Sequence, residues 1–499
     1  MPQPRERTTE RRPRARDAER ASERRSRTRV ADAKEGRVPE RRRRVAGAEE
    51  GTVPERRRRA GNAGNHDARN KIATWRRWGV RAVMAIMALG CVIGLAFFIR
   101  PTTSDFEKRE LTAFPTPSVA SFLDGTFFSD LSLWYADTYP LREPLVKADH
   151  ALENLYGIQP ETQFVGGNVQ ADELPVEGGT VTPATVEREE VAPPEAQAVQ
   201  EDVQANIMNG LYVEGGTACS VYYFYEPAVT TYCAAVNKCA EELDGVADVY
   251  SVLIPNNSGA TLDESVLDSL GGSNQKQALD YFHSLMDPRV KVVETYDALR
   301  AHRDEYIFFR TDHHWTQLGA YYAYVEFCKV KGIEPFKLSD REEVAYDSFL
   351  GSFYAELQLP AMADNPDTMY AYIPNGTNDL TYWTADGEEF EGNVIADASV
   401  YDDNAKYMAF IMGDQERQII ENPKVTDGSS CLVIKDSYGC AFVPNLVDNY
   451  QTVHVLDFRK TWRNIPEYVR ENNIQDVIFM NNMTIAGTDT AADALYSIM

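Results

Sequence analysis

Among its 7 cysteines the chain has no Cys-x-x-Cys pair and no cysteine–histidine cluster, so the common zinc modules are excluded. Six cysteines lie beyond residue 100 (Cys219, Cys233, Cys239, Cys328, Cys431 and Cys440), an even number that permits disulfide pairing without requiring it. Aromatic residues are missing from residues 1–74, which rules out a packed core there. Basic residues are scarce past the first hundred. Residues 101–499 hold 24 Lys+Arg against 64 Asp+Glu, about −40, whereas residues 1–78 hold 25 against 12, about +13. Long apolar runs are reduced to one, residues 82–99, and it falls on the boundary between these two charge regimes.

With 43% hydrophobic and 25% charged residues in 499, the chain is neither disordered throughout nor collagen-like, and it is long enough for more than one domain. The apolar run contains 18 uncharged residues, which at about 1.5 Å per residue nearly span a hydrocarbon core of roughly 30 Å. Trp75 and Trp78 stand at one end and Phe97 and Phe98 at the other, as interfacial aromatics do, and Arg76, Arg77 and Arg81 crowd the N-terminal side. A single retained transmembrane helix over 79–100 is therefore predicted, with the N-terminus cytoplasmic and the bulk of the chain extracytoplasmic at the plasma membrane. A cleaved signal peptide fits less well, because the basic region is too long and no small-x-small site precedes Arg100.

The tail repeats GRVPERRRR (36–44) as GTVPERRRR (51–59). Such arginine clusters suit anionic headgroups or nucleic acid, but a solvated tail that fixes topology is the simpler reading, and nucleic acid is not an expected partner. Residues 169–205 are acidic, proline-rich and free of aromatics, which predicts a flexible insertion or linker. The boundaries that follow are 1–78 for a disordered tail, 79–100 for the span, 101–162 for a membrane-proximal segment, 163–205 for the acidic insertion and 206–499 for the main domain.

That domain alternates strand and helix patterns, the signature of an α/β layered fold. Strands are predicted at 249–255, 289–296, 430–435, 452–458 and 476–480, and helices at 275–286, 316–332, 441–449 and 464–473. Two loops following such patterns carry nucleophile chemistry. In CLVIKDSYG, Ser437 sits where a buried strand hands over to a helix, so free N–H groups of the first turn are expected around its hydroxyl. An acyl-transfer nucleophile needs such donors and a base. The alternative is a helix cap by Asp436 or Ser437.

In FFRTDHHWTQLG, residues 308–319, an extended stretch from Thr311 to Trp315 would send Asp312 and His314 to one side and His313 to the other. A carboxylate then orients one imidazole, the acid and base half of a Ser-His-Asp arrangement. A metal site is not expected, because adjacent histidines laid out this way diverge and no third ligand cluster is visible. No other cofactor is called for.

RTDHHWT, the later KDSYG, and the membrane-proximal SDFEKRELTAFP…YADTYPLRE together resemble the DHHW family, related to the SGNH hydrolase-like proteins of bacterial alginate O-acetylation. The resemblance runs over about 104–162 and 206–485, and RTDHHWT is its most specific string. It implies an SGNH-hydrolase-like three-layer α/β domain with circularly permuted motif order, Asp-x-His preceding Ser. It further implies a catalytic Ser437, His314 and Asp312, with KDSYG standing for the nucleophile block. Gly439, Arg459 and the pair Asn481 and Asn482 would stand near the oxyanion or substrate. Arg310 is either an anion clamp or the partner of a carboxylate. Tyr438 and Trp315 either stack on a sugar or pack beneath the site. The expected function is a serine-dependent O-acetyltransferase or acetylesterase on a cell-surface or cell-wall polysaccharide. A transferase outside the membrane would need a membrane partner to pass acyl groups across. The alternative is a carbohydrate-binding or assembly protein that keeps the fold without turnover.

Overall fold

A computed structural model of the chain describes residues 210–461 and 463–499 continuously, and before them 78–85, 88, 100, 103–104, 109–110, 112–117, 121–122, 126–140, 162–166, 169–175 and 181–186. The chain divides into two units, Met1–Met87 and Ala88–Met499. In the first, residues 78–85 are helical. The predicted span over 79–100 lies for the most part outside the described residues, as does the arginine-rich tail. No described helix is long and apolar enough to cross a membrane.

The second unit is built round an eight-stranded sheet. Helix α1 (Glu226–Glu242) leads into β1 (Asp248–Ile254), followed by α2 (Gln275–Ser284), β2 (Val290–Val293) and α3 (Gln317–Lys331). A wing of β3 (Asp379–Trp383), β4 (Glu389–Asn393) and β5 (Arg417–Glu421) comes next. Then follow β6 (Ser430–Lys435), α4 (Gly439–Leu446), β7 (Thr452–Asp457), α5 (Ile465–Glu471), β8 (Asp476–Asn482) and α6 (Asp489–Ser497). The order across the sheet is β4-β3-β5-β7-β6-β8-β1-β2. The five strands from β7 to β2 are parallel, and the wing extends them antiparallel.

The parallel strands read as unbroken apolar runs because both faces are covered. Val433, Ile478 and Met480 pack with α3 and α4 on one face, while their neighbours Leu432, Ile434 and Phe479 pack with α1, α2, α5 and α6 on the other. Each such side chain contributes about 1.5–3 kcal/mol by leaving water. Helix α3 starts under its Thr316 cap and ends at Gly332, whose φ of 79° is the left-handed conformation that closes a helix. The mixed α/β class is as predicted. The wing was not, since its strands are short and their buried positions are broken up by exposed and half-buried ones.

Two findings bear on points of the sequence reading, the cysteine pairing it left open and the insertion it read as flexible. Among the described residues all six cysteines are free buried thiols, Cys431 and Cys440 included. The insertion also does not hang free over its described parts. Asp172 donates its N–H to Phe224 O (2.9 Å), Ala184 to Leu285 O (2.9 Å), and the Asn237 side chain returns a bond to Ala184 O (3.1 Å). Tyr496 of α6 holds Val186 O at 2.8 Å. Main-chain hydrogen bonds dock this strap on the helices, and composition does not report them. Residues 187–205 lie outside the described residues.

One buried group on β7 makes stability depend on pH. Burial, with the Arg417 charge adding to it, lowers the His454 imidazole from 6.5 to about 4. Between these values the unfolded chain takes up a proton that the folded chain refuses, so stability falls as pH drops from above 6.5 towards 4, by about 3 kcal/mol for this group. Denaturant unfolding at pH 7 and pH 4 is expected to show that loss, and His454→Gln is expected to flatten it.

Candidate active site

Strand β6 ends at Lys435 and α4 begins at Gly439, leaving three residues to turn the chain at the carboxyl end of the sheet, where open α/β folds place their sites. Asp436 builds the turn. Its Oδ1 accepts from Tyr438 N (3.0 Å), its carbonyl from Gly439 N (3.0 Å), and its Oδ2 from Asn482 N at the end of β8 (2.7 Å). Cys440 N donates to Ser437 O at 3.1 Å. The amides that follow Ser437 are thus engaged within the turn, whereas the sequence reading expected them free around the hydroxyl. Asp436 closes the turn, and Ser437 is left to face its partner. Gly439 is required sterically: a Cβ there would stand 2.5 Å from Lys435 Cβ, beneath the start of α4.

The second loop is not extended as predicted. Phe308 and Trp315 form an antiparallel bridge, Phe309 N donates to His314 O (3.2 Å), Thr316 N donates to Ile307 O (2.9 Å), and the residues between them bend sharply. Asp312 and His314 meet because the carboxylate folds back on its own chain. Oδ1 accepts from the His314 backbone N–H (2.9 Å) and lies 2.6 Å from Nδ1 of the same residue. Oδ2 accepts from Ser352 N at 2.7 Å. The other ring nitrogen, His314 Nε2, lies 2.7 Å from Ser437 Oγ, across 123 residues of sequence. His313 Nδ1 instead meets Ser352 Oγ at 2.7 Å.

Ser437, His314 and Asp312 therefore form one hydrogen-bonded series, and all three are buried, Ser437 retaining 8% exposure. Burial would raise the Asp312 carboxyl, but the imidazoles of His314 and His313 and the donors from His314 and Ser352 outweigh it and hold the group well below the usual carboxylate range. The two loops are locked by a crossed pair of bonds. Trp315 Nε1 donates to Tyr438 O (2.9 Å) and Tyr438 OH donates to His313 O. With exposures of 0% and 1%, Trp315 and Tyr438 are struts and offer no face to a sugar.

The two arginines singled out from sequence are bound to carboxylates. Arg310 Nε reaches Asp367 Oδ1 at 3.1 Å, and the same buried carboxylate takes Thr311 N (2.8 Å) and Thr311 Oγ1 (2.6 Å), anchoring the loop just ahead of Asp312. Arg459 is held by Asp414 and Asp457, both at 2.7 Å. These two aspartates also flank Lys435 Nζ. Burial would lower the lysine's pKa, yet the paired carboxylates keep it above its ordinary value.

The Asn482 side chain caps the next helix, its Oδ1 accepting from Thr484 N (2.8 Å). Asn481 Oδ1 accepts from Tyr232 OH at 2.9 Å, while its Nδ2 is buried with no partner. Asn256, just past β1, also has a buried Nδ2 with no partner, and the sequence reading missed it. Nor was Gly351 anticipated, where a Cβ would fall 2.2 Å from Asp312 Oδ2, nor Ser352, Asp367, Asp414 and Tyr407. They reach the site from 21 or more residues away and carry no local motif.

The histidine rings do not diverge either. Their centroids are 3.8 Å apart, and Asp312, His313 and His314 offer donor atoms within 4.8 Å of one another, a spacing that a metal ion would accept. The chemistry of the set fits a proton relay better, since Nδ1 of His314 is engaged by Asp312 and Nε2 by Ser437.

A family model described as DHHW protein matches residues 107–181 and 180–456, a match that takes in the 169–205 segment left outside the motif resemblance. Among solved structures, a DHHW family protein from Eubacterium siraeum superposes with a TM-score of 0.52 at 28% identity, covering 57% of this chain and 94% of that one. PatB1 from Bacillus cereus gives 0.49 at 20% identity, covering 56% and 98%. The O-acetyltransferase domain of Pseudomonas putida AlgJ gives 0.32 at 13%, covering 55% and 90%. No curated protein matches the chain.

Removing the Asp367 carboxylate strands the Arg310 guanidinium and three donors of the loop. Asp367→Ala is expected to cost about 3–5 kcal/mol in denaturant unfolding, the range for one partner lost from a buried pair. The exposed Asp347→Ala is expected to stay within about 0.5 kcal/mol of the parent protein.

Proposed function

The chain belongs to the DHHW family, and on that premise we propose that it is a serine-dependent acyl-ester enzyme, which transfers acetyl groups to, or removes them from, a polysaccharide outside the cytoplasm. The observation that carries the reading is the continuous series from Ser437 Oγ to His314 Nε2 at 2.7 Å and from His314 Nδ1 to Asp312 Oδ1 at 2.6 Å. With Nδ1–H donating to the ionised Asp312, Nε2 is left as the acceptor of the Ser437 hydroxyl proton. The freed oxygen attacks the acyl carbon, the carbonyl electrons move to its oxygen, and His314 carries the proton. Collapse expels the alcohol, which takes that proton from Nε2 and leaves an acetyl-Ser437 ester. Water then regenerates the serine in an esterase, and a sugar hydroxyl does so in a transferase, with His314 again accepting the proton. The unpartnered Nδ2 groups of Asn481 and Asn256, at the ends of the adjacent strands β8 and β1 beside β6, are the kind of donor an acyl oxyanion uses.

The setting belongs to the same proposal. Residues 79–100 anchor the chain in the plasma membrane, and the arginines before them keep the N-terminus inside. The polysaccharide substrate, and a membrane partner that supplies acyl groups for transfer, follow from the family resemblance.

Incubation with an activated acetyl ester, followed by mass spectrometry, is expected to find the acetyl group on Ser437. Ser437→Ala, His314→Ala and Asp312→Ala are each expected to lower ester turnover by at least roughly 10³-fold, and their combination by little more, since the three act as one unit. An unlabelled Ser437 and no ester turnover above background would turn the reading to carbohydrate binding without catalysis.

A further inference from the structure

Tyr407 lies in a short turn (Lys406–Ala409), 30 residues before Ser437, and it touches both halves of the site. Its ring stacks on the His314 imidazole with centroids 3.8 Å apart and planes within 10°. Its hydroxyl donates to the Ser437 backbone carbonyl at 3.1 Å. Phe410 and Phe309 pack edge-on against the ring, and the side chain is 8% exposed. Burial, with the nearby Cys440, Asp312 and Asp414 adding to it, pushes the phenol well above 10, so it stays a donor.

The segment that presents it is tightly held. Lys406 Nζ is paired with Asp403, Ala396 N donates to Ala409 O (2.9 Å), and Ile411 N donates to Val394 O (2.8 Å). Ile411, Met412 and Gly413 follow with φ of 46°, 59° and 73°. Two successive non-glycine residues in the left-handed region, one of them β-branched, persist only where the surroundings enforce them. Here the buried Gln418 amide donates to the carbonyls of Ile411 and Gly413. The strained turn delivers Asp414 to Lys435 and Arg459. One segment thus grips the nucleophile turn from the His314 side through Tyr407 and from the strand side through Asp414.

We propose that Tyr407 is a positioning residue for His314, its hydroxyl fixing the Ser437 carbonyl and its ring face favouring the imidazolium that forms when the serine proton is taken up. This rests on the catalytic reading of Ser437, His314 and Asp312. The aromatic quadrupole attracts a cation more than a neutral ring, so the stack is stronger once the proton has moved. Differential contact of that kind raises kcat, not affinity.

The titratable groups facing His314 are Asp312, His313, Tyr438 and Tyr407 itself. Tyr407→Phe keeps the stack and loses only the hydroxyl, and Tyr407→Leu loses both. In the full-length protein, Tyr407→Phe is expected to lower kcat on a small acetyl ester by less than about 10-fold, with the His314 pKa unmoved, as for one neutral hydrogen bond. Tyr407→Leu is expected to lower kcat by a further factor of about 3–30, with KM little changed. It is also expected to lower the His314 pKa, read from histidine-labelled NMR and from the acid limb of the pH–rate profile, because the cation loses its aromatic partner. Tyr407→Met serves the same comparison if the leucine variant does not fold. An unchanged His314 pKa in a folded Leu or Met variant would overturn the proposal, as would equal losses in the Phe and Leu variants. If the parent protein shows no ester turnover, the proposed function fails, and the His314 titration still decides whether the ring supports the imidazolium.

Discussion

A carboxylate held at 4% exposure has to be surrounded by donors, and the architecture of this site follows from how Asp312 is satisfied. Each of its oxygens accepts from a backbone N–H, that of His314 for one and that of Ser352 for the other, and the His314 ring supplies the remaining close donor. The bend of the loop, the glycine at 351 and the orientation of the imidazole are consequences of that one constraint. A Cβ at Gly351 would occupy the space of the carboxylate itself.

The Ser437 side is organised by the same kind of constraint with the opposite charge. Lys435 is fully buried at the end of β6, two residues before Ser437, and Asp414 and Asp457 neutralise it together with Arg459. Pairs of this kind fix geometry more than they add stability, because desolvation consumes much of the Coulomb gain. Between the two charge clusters run the bonds that join loops distant in sequence, from Trp315 to Tyr438 and from Tyr438 to His313. Tyr407 spans the same gap from a third segment. Pre-organisation of this sort is what a proton relay needs, since 1 Å of looseness is costly.

How much of this was legible in the sequence depended on range. The buried strands of the parallel sheet were, because a strand covered on both faces leaves an apolar run, and so was the helix α3. The pairing of Asp312 with His314 was foreseen for a different reason from the one that operates. An extended strand was expected to align them, whereas a carboxylate bonding its own chain two residues on brings them together in a bend. Tyr438 and Trp315 were open to two readings, sugar platforms or packing beneath the site, and burial decides for packing. The insertion at 169–205 was read as a flexible insertion or linker because the hydrogen bonds that hold Asp172 and Ala184 leave no trace in composition.

By itself the sequence determined the α/β class, the strand that carries Ser437, the loop that carries Asp312 and His314, and the family resemblance of their motifs. Each of these is written within about a dozen consecutive residues, the range over which periodicity and capping act. Tertiary structure alone decided that Ser437 and His314 stand 2.7 Å apart across 123 residues. It also decided that Arg310 and Arg459 belong to buried carboxylates, and that Gly351, Ser352, Asp367, Asp414 and Tyr407 surround the site. These contacts arise from which strands lie side by side and which charges must be neutralised once water is gone. No local pattern encodes them, because the energy that selects them exists only in the packed interior.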